Sequence, residues 1–241
     1  MIENTNETMN ENTSKKKIIL ASKSPRRIEL LTNAGFNVQI IPADIEEVVN
    51  PALSPEAVVK SLALQKATAV SKLLSDRYAL KNDFADSDDA IPIVAADTIV
   101  YLDGIIGKPQ DRADAERILM YLSGKKHHVY TGVAVIYLNK NSCIVGCMSS
   151  CASDCASACK MKARKNARYG IIFSERTDVF FKPYSIDDIR EYLDTDEPYD
   201  KAGAYAIQGY FGQFIDHIDG DYSNVMGLPV YALIEKLNKA D

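Results

Sequence analysis

Two spacings of hydrophobic residues alternate along this chain. Short apolar runs rich in β-branched residues predict strands, and they lie at residues 17–21, 37–42, 91–101, 127–138, 171–181 and 211–218. Longer segments with apolar residues every three or four positions predict helices, and they lie at residues 25–33, 54–77, 111–123, 185–193 and 229–238. Predicted strands and helices are therefore interspersed from residue 17 to residue 238.

The stretch Val94–Asp111 carries the most specific pattern. An apolar strand run stops at Asp97, resumes over Thr98–Tyr101 and turns at Asp103-Gly104, a dipeptide typical of hairpins. Lys108 follows a short hairpin away. A carboxylate at the end of a buried strand can hold a metal or activate water, and a facing ammonium can neutralise phosphate charge. A surface hairpin with Asp97 as an edge residue explains the pattern equally well.

A second polar cluster lies between the first strand and the first helix. Ser22, Ser24, Arg26 and Arg27 belong to the sequence SKSPRR, in which Ser24 is suited to be the N-cap and the proline the first helical residue. Free backbone N–H groups and the helix dipole favour an anion there, and hydroxyl and guanidinium groups add donors. The sequence therefore favours an anion site over an ordinary capped helix with solvated arginines.

Three other places have both a functional and an ordinary interpretation. The acidic segment Asp44–Glu47 follows a strand and can hold a divalent cation, although such segments are more often solvated surface. Lys66 lies on a predicted helix and matters only if it faces a ligand. Gln208 precedes Gly209, and its amide can both donate to and accept from the edge of a nucleotide base.

Composition and charge narrow the class of protein. The chain has 241 residues, 46% hydrophobic and 25% charged, as is ordinary for a globular protein. Its net charge of -5 argues against broad binding to nucleic acid, whereas a local cluster of Lys and Arg still suits a small anion. No apolar run approaches the ~20 residues of a membrane helix, and the N-terminus lacks the apolar core of a secretory signal. We therefore expect a cytoplasmic protein that does not bind membranes.

Three segments fall outside the regular pattern. Residues 1–15 are polar and predict a disordered tail, residues 82–91 predict an exposed acidic loop, and residues 140–170 form a Cys-rich insertion. The remaining chain, residues 16–241, is predicted to be one domain. The histidine pair at 127 and 128 lacks a third ligand at a useful spacing, which favours a structural or surface role over zinc.

The Cys-rich insertion has a strict spacing of four residues. Its cysteines are Cys143, Cys147, Cys151, Cys155 and Cys159. Thiolate metal binding, redox sensing and acylation are functional interpretations of such a stripe. Zinc motifs usually pair cysteines two residues apart, and this segment does not. A compositionally biased insertion without a defined role is the favoured interpretation.

Seven segments, in order, resemble the Maf family, the septum formation inhibitor Maf-like proteins. They are LASKSPRRIELL, DIEEVV, LALQKA, AADTIVYLDGIIGKPQD, LSGKKHHVYTGV, EPYDKAGAYAIQG and IDGDYSNVMGLP. They span nearly all of residues 17–239, apart from the acidic loop and the Cys-rich insertion. The resemblance implies two α/β lobes around a central cleft, a mixed and mostly antiparallel sheet, and a fold like that of the inosine triphosphate pyrophosphatases.

The resemblance also implies an activity and a set of roles. The activity is metal-dependent hydrolysis of nucleoside triphosphates to monophosphate and pyrophosphate, with Mg²⁺, Mn²⁺ or Co²⁺ as the cofactor. Asp97 matches the catalytic acid, and its metal and charge partners match Glu47, Lys66 and Lys108. The phosphate-binding loop matches the SKSPRR residues named above. Glu47 and Asp97 together are the implied metal ligands.

Three further positions match residues that the family ties to the choice of base. They are Arg26, Thr98 and Gln208, and together they resemble the branch that acts on dTTP and UTP rather than the branch that prefers 7-methyl-GTP. Modified pyrimidine nucleotides are further candidate substrates, which would make the protein a housecleaning enzyme. The family also suggests a homodimer.

Two alternatives belong to other classes. One is a nucleotide-binding regulator of cell division with little turnover, which the name of the family suggests. The presence of Asp97, Glu47, Lys66 and Lys108 favours turnover instead, because binding alone does not need the acid pair. The other alternative is a metal or redox sensor centred on the Cys-rich insertion.

Overall fold

The computed structural model describes residues 16–79, 91–138 and 170–240. The predicted N-terminal tail and all five cysteines lie outside these residues, as does nearly all of the predicted acidic loop. Ile91, which we placed in that loop, is the first residue of a strand. Gly170, placed in the insertion, directly precedes the next strand.

The helices and strands follow the predicted order. The strands are β1 (Lys17–Leu20), β2 (Asn37–Ile40), β3 (Ile91–Tyr101), β4 (Ile105–Ile106), β5 (Lys126–Leu138), β6 (Ile171–Phe181) and β7 (Ile215–Asp219). The α-helices are α1 (Pro25–Asn33), α2 (Pro55–Ala79), α3 (Arg112–Leu122), α4 (Ile186–Leu193), α5 (Tyr222–Val225) and α6 (Val230–Ala240). Three short 3₁₀ turns, at Pro198–Asp200, Ala202–Ala204 and Tyr210–Phe214, connect α4 to β7. In the described part of the chain, no helix is long and apolar enough to cross a membrane.

The strands of the described part form one mixed sheet. Its order is β2-β1-β3-β5-β6-β7, with β4 paired to β3 outside this path. The β1–β2 and β1–β3 pairs are parallel, and all the others are antiparallel. The prediction of an α/β fold with a mixed, mostly antiparallel sheet is therefore confirmed.

Separate apolar cores cover the two ends of the long strands. At the β1 end, α1 and α6 pack on one face through Leu31 and Leu233, and α2 packs on the other through Ala63 and Ala67. At the β7 end, α3, α4 and the 3₁₀ turns enclose an aromatic core that includes Phe211. Strands β3 and β5 run through both ends, so side chains at their midpoints lie where the cores meet.

Helix α2 lies in direct contact with the sheet at Gly132. A Cβ on this glycine would lie 2.3 Å from the backbone carbonyl of Val59, so a side chain there would force the helix away. Gly132 is paired with Asp97 on the neighbouring strand. Lys66 follows Val59 by about two helical turns. This close approach sets the height of Lys66 above the sheet.

Two predictions about strands are wrong. Asp97 does not end a strand, because β5 pairs with β3 without interruption from Ile91 to Tyr101. The strand predicted over 211–218 begins only at Ile215, since Tyr210–Phe214 is a 3₁₀ turn. Phe211 and Phe214 pack on the same aromatic core, and a spacing of three residues brings both to one side of a helical turn rather than of a strand.

Candidate active site

A lysine–carboxylate cluster lies at the middle of β3. The ammonium of Lys66, on α2, lies 2.5 Å from Asp97 Oδ1 and 2.9 Å from Glu47 Oε1. The Lys66 and Asp97 side chains are only 15% and 13% exposed, whereas Glu47 is 42% exposed. One largely buried cation thus forms ion pairs with two carboxylates from separate segments of the chain. The two carboxylates lie close enough to share one cation.

Gln65 holds the acidic segment in place. Its amide accepts a hydrogen bond from Val48 N (3.0 Å) and donates one to Val48 O (2.9 Å). Val48 follows Glu47 directly, and neither belongs to a helix or strand. Because Gln65 also precedes Lys66, the same turn of α2 fixes both sides of the Lys66–Glu47 ion pair. All three acids are exposed, but Glu47 forms an ion pair with Lys66, so the interpretation as solvated surface fits Asp44 and Glu46 better than Glu47.

Arg27 points into the protein. Its Nε donates to Gly227 O (2.8 Å), one terminal nitrogen donates to Thr98 Oγ1 (3.1 Å), and the other lies 3.4 Å from Ser22 Oγ. Burial lowers the pKa of Arg27, while the charges of Asp97 and Glu47 raise it in part. A guanidinium remains protonated at neutral pH under such conditions. Arg27 therefore brings a fixed positive charge beneath the cluster and joins three segments of the chain.

Thr98 belongs to the same internal network. Its hydroxyl lies 2.9 Å from the hydroxyl of Thr131, which donates to Asn224 O at 3.0 Å. Asn224 is fully buried, and its amide nitrogen donates to Val129 O and to the Thr177 hydroxyl. These bonds tie the turn before α6 to the centre of the sheet. Thr98 is thus held by protein groups next to Asp97.

The N-terminus of α1 has the features of an anion site. Ser24 occupies the N-cap position, but its side chain does not cap the helix. Its backbone N–H instead donates to Ser22 Oγ at 3.1 Å. Since no cap hydroxyl takes up the first-turn N–H groups, they are available to an anion. Arg26, at the second helical position, is partly exposed.

Lys108 and Gln208 lie apart from these contacts. Both side chains are exposed, and among the described residues no hydrogen bond or ion pair holds either one. The position of Lys108 is set through its backbone neighbour, because Gly107 O accepts from Gly203 N at 3.0 Å. Three of the predicted site residues therefore meet in direct ion pairs, namely Asp97, Glu47 and Lys66. Four others are connected by hydrogen bonds, namely Ser22, Ser24, Arg27 and Thr98.

The base-side loop, residues 197–209, carries Gln208. Lys201 donates to Glu197 O and to Asp200 Oδ1 within this loop. Arg26 is close enough for its charge to act on Asp200, whose pKa is lowered: burial opposes this, and Lys201 and then Arg26 favour it. Arg26, next to Arg27 in the chain, is thus also close enough to the base-side loop for its charge to act there.

The donor set fits a hydrated divalent cation. Two carboxylates, Glu47 and Asp97, meet around the ammonium of Lys66. Mg²⁺ is typically held by one or two carboxylates and completes its shell with water and substrate phosphate. Among the described residues, no group of three or more His, Cys, Asp or Glu side chains is placed to hold a metal.

A family model described as "Maf-like protein" matches residues 17–240. The chain belongs to the Maf-like protein family. The residues joined above, from Ser22 to Gly227, all lie within the matched range. The family resemblance stated from the sequence is therefore confirmed.

The chain is also similar to named relatives and to a solved structure. A protein of Bacillus cereus (strain ATCC 10987 / NRS 248) named "dTTP/UTP pyrophosphatase" is 40% identical over 230 residues, covering 95% of this chain and 92% of its own. A Bacillus anthracis protein of the same name is 40% identical over 225 residues, covering 93% and 95%. The Staphylococcus aureus Ham1 protein aligns at 13% identity with a TM-score of 0.42, over 94% of this chain and 100% of its own.

Several residues of this Maf-like protein's site escaped the sequence analysis. Gln65, Thr131, Asn224 and Gly227 all lie in segments that carried the family resemblance, but none has a side chain typical of catalysis. Gly227 contributes a carbonyl oxygen, to Arg27, and any residue type has one. Motif membership was the only available signal, because their roles depend on contacts between distant segments.

The two histidines have structural surroundings. His127 is fully buried, with Nε2 2.8 Å from the Tyr205 hydroxyl, and burial lowers its pKa to about 4. His128 Nδ1 lies 2.7 Å from Asp178 Oδ1. Both belong to the β7 side of the sheet.

Proposed function

We propose that this protein hydrolyses dTTP and UTP, and modified pyrimidine nucleotides of the same type, to the monophosphate and pyrophosphate. The observation that carries this proposal is the Lys66 ammonium between Asp97 and Glu47, set beside an uncapped helix N-terminus. The names of the Bacillus relatives support the same reaction. Removal of unwanted nucleotides from the cytoplasmic pool is the cellular role that we propose.

The first step concerns the attacking water. Asp97 forms an ion pair with Lys66, and one of its carboxylate oxygens can accept the proton of a water while the water oxygen bonds to the α-phosphorus. The bond from that phosphorus to the bridging oxygen of the β-phosphate then breaks, and pyrophosphate leaves. Glu47 and Asp97 would hold the divalent cation, which when bound supplies Lewis-acid charge to the phosphate oxygens.

Three cations of the chain stabilise the growing negative charge. Lys66 keeps the carboxylates paired, and the exposed ammonium of Lys108 is free to meet the leaving phosphates. Arg26 and the first-turn N–H groups of α1 hold the phosphate chain from the other side. Arg27 acts indirectly, since protein acceptors already engage each of its nitrogens.

Base choice is assigned to the other end of the site. Gln208 is exposed, so its amide can pair with a thymine or uracil edge. Arg26 lies between this end and the phosphates. Thr98 affects the base only through the placement of Arg27 and β3, because its hydroxyl is bonded internally.

Pyrophosphate release from a panel of nucleoside triphosphates tests the proposal. We expect release from dTTP and UTP with Mg²⁺, much less from dCTP and purine nucleotides, and none with EDTA. Release mainly from 7-methyl-GTP would keep the mechanism and overturn the base assignment. Tight binding of dTTP without any release would favour a nucleotide-binding regulator. The expected homodimer is tested separately by light scattering.

A further inference from the structure

Glu197 lies directly beneath the residue that follows Gln208. A Cβ on Gly209 would lie 2.4 Å from Glu197 Oε1 and 2.9 Å from Oε2. The backbone of Gly209 has φ 120 and ψ -163, a combination that glycine alone adopts readily. The carboxylate and the unusual backbone therefore fit each other, and neither can change without moving the chain at Gln208.

Glu197 is itself held in place by several contacts. Its backbone carbonyl accepts a 2.6 Å hydrogen bond from the Lys201 ammonium, and its N–H donates to the Thr195 hydroxyl at 3.3 Å. Pro198, which follows it, is buried and restricts the backbone. In contrast, Glu197 Oε1 is buried without a hydrogen-bond partner among the described residues. The main chain of Glu197 is thus anchored, and its carboxylate is pressed against Gly209.

The same carboxylate is linked to Arg26 through Tyr192. Burial raises the pKa of Tyr192, the charge of Glu197 raises it further, and the charge of Arg26 opposes both. The hydroxyl of Tyr192 is buried, and the Glu197 side chain and the backbone of Ala206 are close enough to it to act on its pKa. Glu197 and Arg26 are therefore both near enough to Tyr192 for their charges to act on its hydroxyl.

An amide needs such support to distinguish pyrimidines. Thymine and uracil present a carbonyl acceptor beside an N–H donor, whereas cytosine presents an amino donor beside an acceptor. A glutamine that rotates freely can satisfy either edge, because its amide has both a donor and an acceptor end. The position of the chain that carries Gln208 decides which atoms of the base edge the amide can reach, and so contributes to discrimination.

We propose that Glu197 is a positioning residue for base recognition, which holds Gln208–Gly209 so that the site prefers keto-pyrimidine nucleotides over cytosine nucleotides. This inference rests on the proposed function and adds a residue to it. Glu197 acts through its fit against Gly209 and does not touch the phosphates. Its loss should consequently affect recognition of the base and not the chemical step.

The test compares wild type with Glu197→Ala, Glu197→Gln and the control Asp196→Ala. Asp196 is exposed and adjacent, so its substitution removes the same charge. We expect Glu197→Ala to lower the dTTP-to-dCTP ratio of kcat/KM at least fivefold, through KM for dTTP, with kcat within twofold. Glu197→Gln, which keeps the size of the side chain, should retain most of the ratio, and Asp196→Ala should retain all of it.

Dissociation constants of dTMP and dCMP, measured by calorimetry, make the test independent of turnover. Glu197→Ala should narrow the gap between the two constants. An unchanged gap in a folded Glu197→Ala protein, or a wild-type protein that binds both equally, overturns the inference. A wild type that prefers dTMP but releases no pyrophosphate overturns the proposed function and leaves the positioning role of Glu197 intact.

Gly209→Ala is the second variant, in case Glu197→Ala fails to fold. Its added Cβ would meet the Glu197 carboxylate, so we expect the same loss of discrimination. A folded Gly209→Ala protein with wild-type discrimination contradicts the proposal.

Discussion

The lysine–carboxylate cluster and the base-side loop are built in opposite ways. At the cluster, side chains from α2, β3 and the acidic segment meet in direct ion pairs, above an Arg27 network bonded throughout. At the base-side loop, Gln208 is exposed, and Glu197 Oε1 next to Gly209 is buried without a hydrogen-bond partner in the described part of the chain. The proposed catalytic groups are held by ion pairs and hydrogen bonds, whereas the proposed recognition element depends on packing.

This contrast predicts that substitutions in the two regions will affect different kinetic quantities. Charges that act at the transition state must be held in place before the substrate arrives, since reorganisation at that moment is costly. Hydrogen bonds to a base edge contribute less free energy than charges at the transition state, and a recognition loop can adjust its conformation to the base. Substitutions at the cluster should therefore reduce kcat strongly, while substitutions at the base-side loop should change the order of substrates.

Asp97→Asn is expected to have the largest effect. The amide keeps the shape but cannot take a proton from water, and general bases contribute about 10²–10⁴-fold. We expect kcat for dTTP to fall about 10³-fold with KM within a few-fold, measured by pyrophosphate release. Asp216→Asn, at an exposed acid on β7, is the control. Full turnover by Asp97→Asn would move the base role to another group.

Gly132→Ala should displace helix α2 from the sheet. The new Cβ would meet the Val59 backbone at 2.3 Å, so α2 must shift and carry Lys66 with it. Overpacking of this kind costs about 3 kcal/mol, which thermal unfolding would detect. Gly104→Ala, where a Cβ has open space, provides the comparison. A stable and fully active Gly132→Ala protein would contradict the role of this contact.

Substitution of Lys66 should lower both stability and activity, whereas substitution of Lys108 should lower activity alone. Lys66→Met leaves two carboxylates without their shared cation, so we expect lower kcat together with a loss of about 1–2 kcal/mol in the free energy of unfolding. Lys108→Ala removes an exposed ammonium and should lower kcat about 10²-fold at unchanged stability. Lys182→Ala, at another exposed lysine, should change neither. Equal stability losses for both lysine variants would refute the distinction.

Thr131→Val tests the network beneath the cluster. It removes a buried hydroxyl that contacts Thr98 and donates to Asn224 O. We expect a loss of about 1–2 kcal/mol in the free energy of unfolding and a few-fold decrease in kcat. Thr32→Val, at an exposed helix position, should have little effect on either quantity. A Thr131→Val protein as stable as wild type would show that the network contributes nothing.

Gln208→Ala should have the smallest effect on kcat and a measurable effect on the preference among nucleotides. We expect kcat for dTTP within a few-fold of wild type and a dTTP-to-dCTP preference reduced several-fold, since one lost hydrogen bond is worth about 1 kcal/mol. Gln39→Ala, on the exposed edge strand β2, is the matched control. A decrease in kcat as large as that of Asp97→Asn would erase the contrast between the two regions.

The sequence predicted local features of the fold well. Strand β6 matches the predicted bounds, and Ser185 caps α4 through a capping box with Asp188. These features depend on neighbours in the chain. The 3₁₀ turn at Phe211 was missed because its aromatic residues also suit a strand, and only the shape of the core decides between them.

The candidate site was predictable by residue type and not by arrangement. Asp97 and Lys108 were paired by their nearness in sequence, yet the ammonium that contacts Asp97 belongs to Lys66, 31 residues away. The inward direction of Arg27 depends on Gly227 O, 200 residues later. Such contacts follow from how helices lie on the sheet, which a spacing pattern does not contain.

The register of the long strands explains where this chain can accept additional sequence. Ile91 pairs with Leu138 at one end of β3, and Asp97 lies six residues further along, a distance of about 20 Å. Positions 80–90 connect α2 to the start of β3, and positions 139–169 connect β5 to β6 at that same end. The closure entropy of a connection rises by only about 0.6 kcal/mol per doubling of its length. Domain fusions or affinity tags inserted there should therefore leave catalysis intact. This end of the sheet is a suitable place for insertions.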